Sequence, residues 1–132
     1  MKAERVLVKA IAKALKREGF KVATEVANFY RSADIAAVDA KGRVWIIECK
    51  ISNIEQALEQ TRIHKLSADM VFIGTPRRNM RSKTTERIIA AGVGLIYVAP
   101  DGSIVKAANN KTKARPWRPA KERLRRRILE SE

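Results

Sequence analysis

Residues 33–50, ADIAAVDAKGRVWIIECK, hold the pattern around which the rest of the chain is arranged. Two apolar runs, Ile35 to Val38 and Val44 to Ile47, flank Asp39-Ala40-Lys41-Gly42. A glycine closing a three-residue connection suits a type I turn followed by a left-handed residue, so the stretch predicts a β-hairpin. With Asp39 facing Arg43, antiparallel pairing sets Asp34 opposite Glu48, and two carboxylates meet across the ladder. Opposed Cβ atoms lie roughly 4.5–5.5 Å apart, within reach of one shared divalent cation, and like charges there are otherwise unfavourable. Lys50 follows Glu48 by two residues and emerges on its face, while Cys49 points the other way. A two-residue loop would instead slip the register by one and set Asp34 against Cys49.

Both faces of the hairpin are apolar: Ile35, Ala37, Trp45 and Ile47 on one side, Ala36, Val38, Val44 and Ile46 on the other. Strands of that kind belong in the middle of a sheet covered by helices. Charged residues at their ends are therefore informative, because a charge is seldom buried unless it is paired or metal-bound. Asp34, Glu48 and Lys50 read as one site. The plainer alternative is an ordinary ion pair of Lys50 with Asp34 or Glu48.

Upstream, Val6, Leu7, Ala10, Ile11, Ala14 and Leu15 recur at helical spacing, predicting an amphipathic helix over 3–18 that Gly19 ends. Glu4 falls in its first turn, where the macrodipole favours an anion. Lys21 to Tyr30 suits a strand that enters the hairpin through Arg31-Ser32, and the face of Glu25 is ambiguous.

Downstream, Ser52-Asn53-Ile54-Glu55 reads as a capping box opening a helix to about Leu66, with Ile54, Ala57, Leu58 and Leu66 as its apolar stripe. Gln56 and Gln60 share a face of that helix, either merely solvated or supporting the site through a phosphate or water. His64, a lone histidine near a helix end, reads as a surface residue. Residues 68–74 form a buried strand reached by a helical crossover, hence parallel to its neighbour. Arg77, Arg78, Arg81 and Lys83 then crowd a loop suited to backbone phosphates. A helix from Ser82 or Thr84 to Ala91, a strand over 93–99 and a short edge strand over 103–106 complete the order. From Ala107 the chain turns strongly basic. Lys111, Lys113, Arg115 and Arg118 surround Trp117, and a helix follows over 119–129. That tail reads in three ways: a docked helix, a self-association element, or an arm on nucleic acid with Trp117 stacking.

A chain of 132 residues with 45% hydrophobic content suits one domain with a real core. Lys+Arg of 28 against Asp+Glu of 14 gives a net charge of +14, which calls for a polyanionic partner. No apolar run approaches the roughly 18 residues of a membrane span, and no signal-peptide-like segment follows the N-terminus. A single cysteine forms no internal disulfide and fits a reducing cytoplasm. One cysteine and one histidine also exclude a zinc site built on those residues. A metal here should be a hard ion held by oxygen, Mg²⁺ or Mn²⁺.

An acid on one strand and acid-x-lysine at the end of the next support metal-dependent phosphodiester hydrolysis, with Lys50 either as base or as electrostatic partner. Asp34 followed by Glu48-Cys49-Lys50 resembles the PD-(D/E)XK nuclease superfamily, and within it the small archaeal Holliday junction resolvases. Gly19-Phe20 before the first strand and an early glutamate, Glu4, extend the likeness over roughly residues 3–74. Ala33 stands where that family often has proline. The resemblance implies a restriction-endonuclease-like α/β domain, in which a mixed sheet is flanked by helices in the order α-β-β-β-α-β. With the elements that follow, the domain is read as spanning 1–106, and the basic extension over 107–132 has no counterpart in that family. It implies that Asp34, Glu48 and the Cys49 carbonyl bind metal, that Lys50 is catalytic, and that Glu4 is a further ligand, direct or through water. It also implies an endonuclease acting on branched or junction DNA as a homodimer. The alternatives are a nuclease of other specificity (restriction-type, transposon or phage, or acting on RNA) and a basic nucleic-acid-binding protein without catalysis. Arg31 and the cations named above are the expected DNA contacts.

Overall fold

The computed structural model describes residues 2–29, 31–76, 82–108 and 116–131. In order they form α1 (Lys2–Arg17), β1 (Lys21–Asn28), β2 (Arg31–Val38), β3 (Val44–Cys49), α2 (Ile54–His64), β4 (Met70–Gly74), α3 (Ser82–Ala90), β5 (Gly94–Val98), β6 (Ile104–Ala108) and α4 (Arg118–Glu130). The described strands make one six-stranded sheet in sequence order. β1, β2 and β3 are antiparallel, β4 and β5 continue parallel to β3, and β6 returns antiparallel at the edge.

The hairpin organises this sheet as its sequence predicts. Val38 faces Val44 and Ile35 faces Ile47, with Ala37–Trp45 and Ala36–Ile46 between them. Asp39 N–H donates to Arg43 O at 3.1 Å, and Gly42 takes φ +78°, the left-handed value that a glycine adopts without a Cβ clash. Alternation then divides the core. Ile35, Ala37, Trp45 and Ile47 pack under Leu7, Ile11 and Leu15 of α1, whereas Ala36, Val38, Val44 and Ile46 pack under Leu124 and Ile128 of α4. A third cluster joins Ala57 and Leu58 of α2 to Ile88 of α3 and Ile73 and Leu95 of the parallel strands.

Trp45 anchors the α1 side. Its ring stacks on Phe72 at 5.0 Å and 8°, meets Phe20 edge-on at 5.0 Å, and lies under Lys106 Nζ at 5.2 Å. Close approach of α1 to the sheet depends on Gly74. A Cβ there would lie 2.6 Å from Ile11 Cδ1 and 3.2 Å from Ile47 Cγ2.

Several local expectations are corrected. Val6 is 64% exposed because the helix turns the Leu7–Ile11–Leu15 line to the sheet. The cap of α2 is Asn53 rather than Ser52: its left-handed backbone (φ 57°) lets Oδ1 accept from Gln56 N–H. The buried line of α2 is Ala57, Leu58, Thr61 and His64, while Leu66 lies past the helix end, 46% exposed. In the tail, helix α4 is docked: Lys121 pairs with Asp69 at 2.8 Å, and Arg127 donates to Ala27 O at 2.6 Å. Trp117 stays 58% exposed while its backbone N–H donates to Leu66 O at 2.8 Å. Among the described residues no helix is long and apolar enough to cross a membrane.

Candidate active site

Beyond the Ile35–Ile47 pair, side chains take over the ladder between β2 and β3. Asp34 N–H donates to Glu48 Oε1 at 3.3 Å, and Cys49 N–H donates to Asp34 Oδ2 at 2.8 Å. Each acid thus accepts a backbone proton from the opposite strand where a carbonyl would ordinarily stand. The two carboxyl groups are held close by this exchange, and the second oxygen of each, Asp34 Oδ1 and Glu48 Oε2, accepts none of these bonds.

Strict alternation fails at this point. β1 pairs with β2 through Thr24–Ile35 and again through Val26–Ala33, but Glu25, between them, has φ +52° and drops out of the ladder. Ala33 accordingly packs with Ala36 and Val38 rather than with Ile35 and Ala37. The local kink turns Asp34 to a cleft of about 460 Å³ lined by Glu4, Arg5, Val8 and Lys9 of α1 and by Thr24 and Glu25 of β1. Glu4, half-buried, accepts from Ile51 N–H at 3.4 Å, which ties the start of α1 to the segment just after Lys50.

The electrostatics follow from burial and crowding. Burial first, then the negative charge of Glu48, push the Asp34 carboxyl up from 3.8 to about 6; the Cys49 N–H opposes them and Glu4 adds to them. The Cys49 thiol is pushed well above its ordinary value by its own burial and by the charges of Asp34, Glu48 and Glu4, so a thiolate nucleophile is disfavoured here. Lys50 is half-buried, one residue past β3, and its N–H donates to Gly74 O at 2.9 Å. Among the described residues it forms an ion pair with neither Asp34 nor Glu48, so the plain surface-pair reading does not describe this site.

His64 corrects the sequence reading most sharply. It is 0% exposed, its Nε2 lies 2.8 Å from Glu48 Oε1, and its Nδ1 lies 2.9 Å from Asn28 Nδ2. A signal was available: Ala57, Thr61 and His64 repeat at helical spacing, so His64 sits on the inward line of α2. Polar residues on that line masked it. Gln56 is exposed and Gln60 half-buried, and neither bonds to the two acids. Arg31, Lys83 and Arg118 are exposed. Arg77, Arg78, Arg81, Lys111, Lys113 and Arg115 lie outside the described residues.

Among the described residues no three His, Cys, Asp or Glu side chains gather as a ready metal cage. The donor chemistry nonetheless fits a hard cation. Among the described residues neither Asp34 nor Glu48 pairs with a lysine or arginine, both His64 nitrogens are engaged, and the thiol is disfavoured as a ligand. Asp34, Glu48 and the Cys49 carbonyl could hold such an ion, with water or substrate filling the remaining positions.

The sequence matches no protein-family model and no curated protein. Among solved structures, a protein of unknown function from Silicibacter pomeroyi aligns over 93% of this chain and 81% of its own, with TM-score 0.73 and 19% identity. An XisH family protein from Nostoc punctiforme PCC 73102 aligns over 79% of this chain and 99% of its own, with TM-score 0.62 and 16% identity. A repair endonuclease from Pyrococcus abyssi aligns over 76% of this chain but only 47% of its own, with TM-score 0.53 and 18% identity. At these identities the likeness is one of fold. The chain is a single α/β domain of the restriction-endonuclease-like kind, a mixed sheet between flanking helices.

Proposed function

We propose that this protein is a metal-dependent endonuclease that hydrolyses DNA phosphodiester bonds, with Asp34, Glu48 and Lys50 as its catalytic residues. The observation that carries the reading is the Asp34–Glu48 exchange at the open end of β2 and β3: two acids share a strand end with Asp34 raised to about 6. That is an unfavourable arrangement unless a cation joins it. Asp34, Glu48 and the Cys49 carbonyl would hold Mg²⁺ or Mn²⁺, with Glu4 as a further ligand. The chemistry the ion supplies when bound is Lewis-acid polarisation of the phosphate. Lys50 offsets charge gathering on the phosphate or orients the attacking water. Arg5 and Lys9 in the cleft beside Asp34 draw the backbone in, and the net charge of +14 supports a polyanion as partner. Arg31, Arg77, Arg78, Arg81, Lys83, Lys111, Lys113, Arg115 and Arg118 are assigned to backbone contacts. The resemblance to archaeal Holliday junction resolvases favours branched DNA, on which two copies would present two sites.

The test is to incubate purified protein with Mg²⁺ or Mn²⁺ on four-way junction, flap, duplex and single-stranded DNA, beside Asp34→Ala and Glu48→Ala. Cleavage by wild type alone, abolished by chelator, is expected. One observation favours a second reading, a basic DNA-binding protein without catalysis: Glu48 Oε1 already accepts from Asp34 N–H and contacts His64, as a structural network would have it. Equal DNA binding by all three proteins with every substrate left uncut would choose that reading. Cutting of linear duplex but not junctions would remove only the branched-substrate assignment.

A further inference from the structure

A buried chain of three polar side chains crosses the sheet behind the acids. Asn28 closes β1, His64 ends α2 and Glu48 lies near the end of β3; their exposures are 3%, 0% and 3%. Each would carry a desolvation penalty if left unpaired. Asn28 Nδ2 lies 2.9 Å from His64 Nδ1, and His64 Nε2 lies 2.8 Å from Glu48 Oε1.

The roles along the chain follow from donor chemistry. An amide NH₂ only donates, so the ring nitrogen facing it, Nδ1, accepts. Nε2 therefore carries the proton that is donated to Glu48. That tautomer rests on the orientation of the Asn28 amide. Glu48 Oε1 accordingly accepts twice, from His64 Nε2 and from Asp34 N–H at 3.3 Å. Two donors from different elements fix the carboxylate's rotamer and leave Oε2 for a ligand. Supports of this kind, anchored on strand and helix rather than on loops, are what a precise site needs.

We infer that His64 and Asn28 are positioning residues, which hold the Glu48 carboxylate through a two-bond relay so that its outer oxygen meets the cation. This rests on the metal-dependent endonuclease reading. The relay touches neither substrate nor ion. Its effect passes wholly through Glu48.

The experiment measures Mn²⁺ binding to the full chain by calorimetry without DNA, together with thermal unfolding, for wild type, Asp34→Ala, His64→Leu, His64→Gln and Asn28→Ala. Loss of an outer support costs roughly 10- to 100-fold in metal affinity. His64→Leu, which keeps volume and removes the donor, is expected to weaken Mn²⁺ by about that factor. Asn28→Ala should show a smaller loss, and His64→Gln, whose amide donates in place of Nε2, should recover most of the affinity. A purely structural role would lower the melting temperature and leave the Mn²⁺ affinity of the folded protein unchanged. Wild-type affinity in folded His64→Leu overturns the inference; should that variant not fold, wild-type affinity in Asn28→Ala does so. Wild type that binds Mn²⁺ no better than Asp34→Ala overturns the metal-site reading itself, and the relay's role with it. Mn²⁺ binding that is lost in Asp34→Ala but kept in the relay variants removes the relay alone.

Discussion

The β2–β3 hairpin has two ends, and an aspartate on β2 or its turn stands at each. At the closed end Asp39 is surrounded by donors. It accepts from Lys41 N–H at 3.0 Å, Arg43 N–H at 2.9 Å, Arg43 Nε at 2.8 Å and the Trp45 indole N–H at 3.0 Å. Burial alone would raise its carboxyl, but these bonds and the guanidinium charge outweigh it and hold the group below 3.8. At the open end Asp34 has one backbone donor on its side chain and an acid for a neighbour, and it rises to about 6. The same residue type in one hairpin is thus tuned in opposite directions. Full satisfaction at one end stabilises the fold, whereas incomplete satisfaction at the other leaves an interaction that something from outside can complete.

Trp45→Ala should give the largest effect and strike the closed end. Loss of the stack on Phe72 and the bond to Asp39 predicts a fall of about 3–5 kcal/mol in urea-unfolding stability. At the open end, Asp34→Asn should lower cleavage by roughly 10²- to 10³-fold, comparable to removing one preorganised electrostatic group, read as kcat/KM on the best substrate of the panel above. Retained activity would strip the open end of its catalytic role. Gly74→Ala should cost about 1–3 kcal/mol by overpacking against Ile11, with Ile47 less affected, and a crystal structure of the variant should show α1 displaced.

The smallest effect is the most diagnostic. Asp34 binds a proton in the folded chain that the unfolded chain releases between pH 3.8 and about 6. Its contribution therefore turns unfavourable as pH rises through that window and is fully so above it. Asp34→Asn should raise metal-free stability at pH 8 by about 1–2 kcal/mol, discounted for partial exposure, and change nothing below the ordinary carboxylate value. Asp39, with its value lowered, contributes stability above the ordinary value and loses it only as pH falls through the folded one. Urea melts of wild type, Asp34→Asn and Asp39→Asn from pH 2 to 8 should therefore separate in different windows: Asp34→Asn rises above wild type between pH 3.8 and about 6, whereas Asp39→Asn lies below wild type throughout that range and closes on it only below 3.8. An Asp34→Asn curve parallel to wild type across its window would erase the contrast between the two ends.

Much of this was legible in the chain. The turn at Gly42, the double-sided apolar strands and the run ending at Gly74 set hairpin register, sheet centre and parallel crossover, because each rests on local periodicity. The spacing of Leu124 and Ile128 likewise announced a one-sided helix, though nothing in it named the Val44–Ile46 face as its seat. The kink at Asp34 was not legible. A positive φ on Glu25 leaves no compositional mark, since the residue that would advertise it is glycine. His64 and Asn28 were missed for a related reason. Their burial depends on each other and on Glu48 across three separate elements, and no window of sequence contains such a relation.

Helix α4 also sets an order of events during synthesis. Ala36, Val38, Val44 and Ile46 leave the ribosome with the hairpin, long before Leu124 and Ile128 exist to cover them. Until α4 has emerged, that face of the central strands lacks the cover that Leu124 and Ile128 provide. A product that stops before Arg118 keeps it open to other chains, with the aggregation hazard that an uncovered sheet face carries.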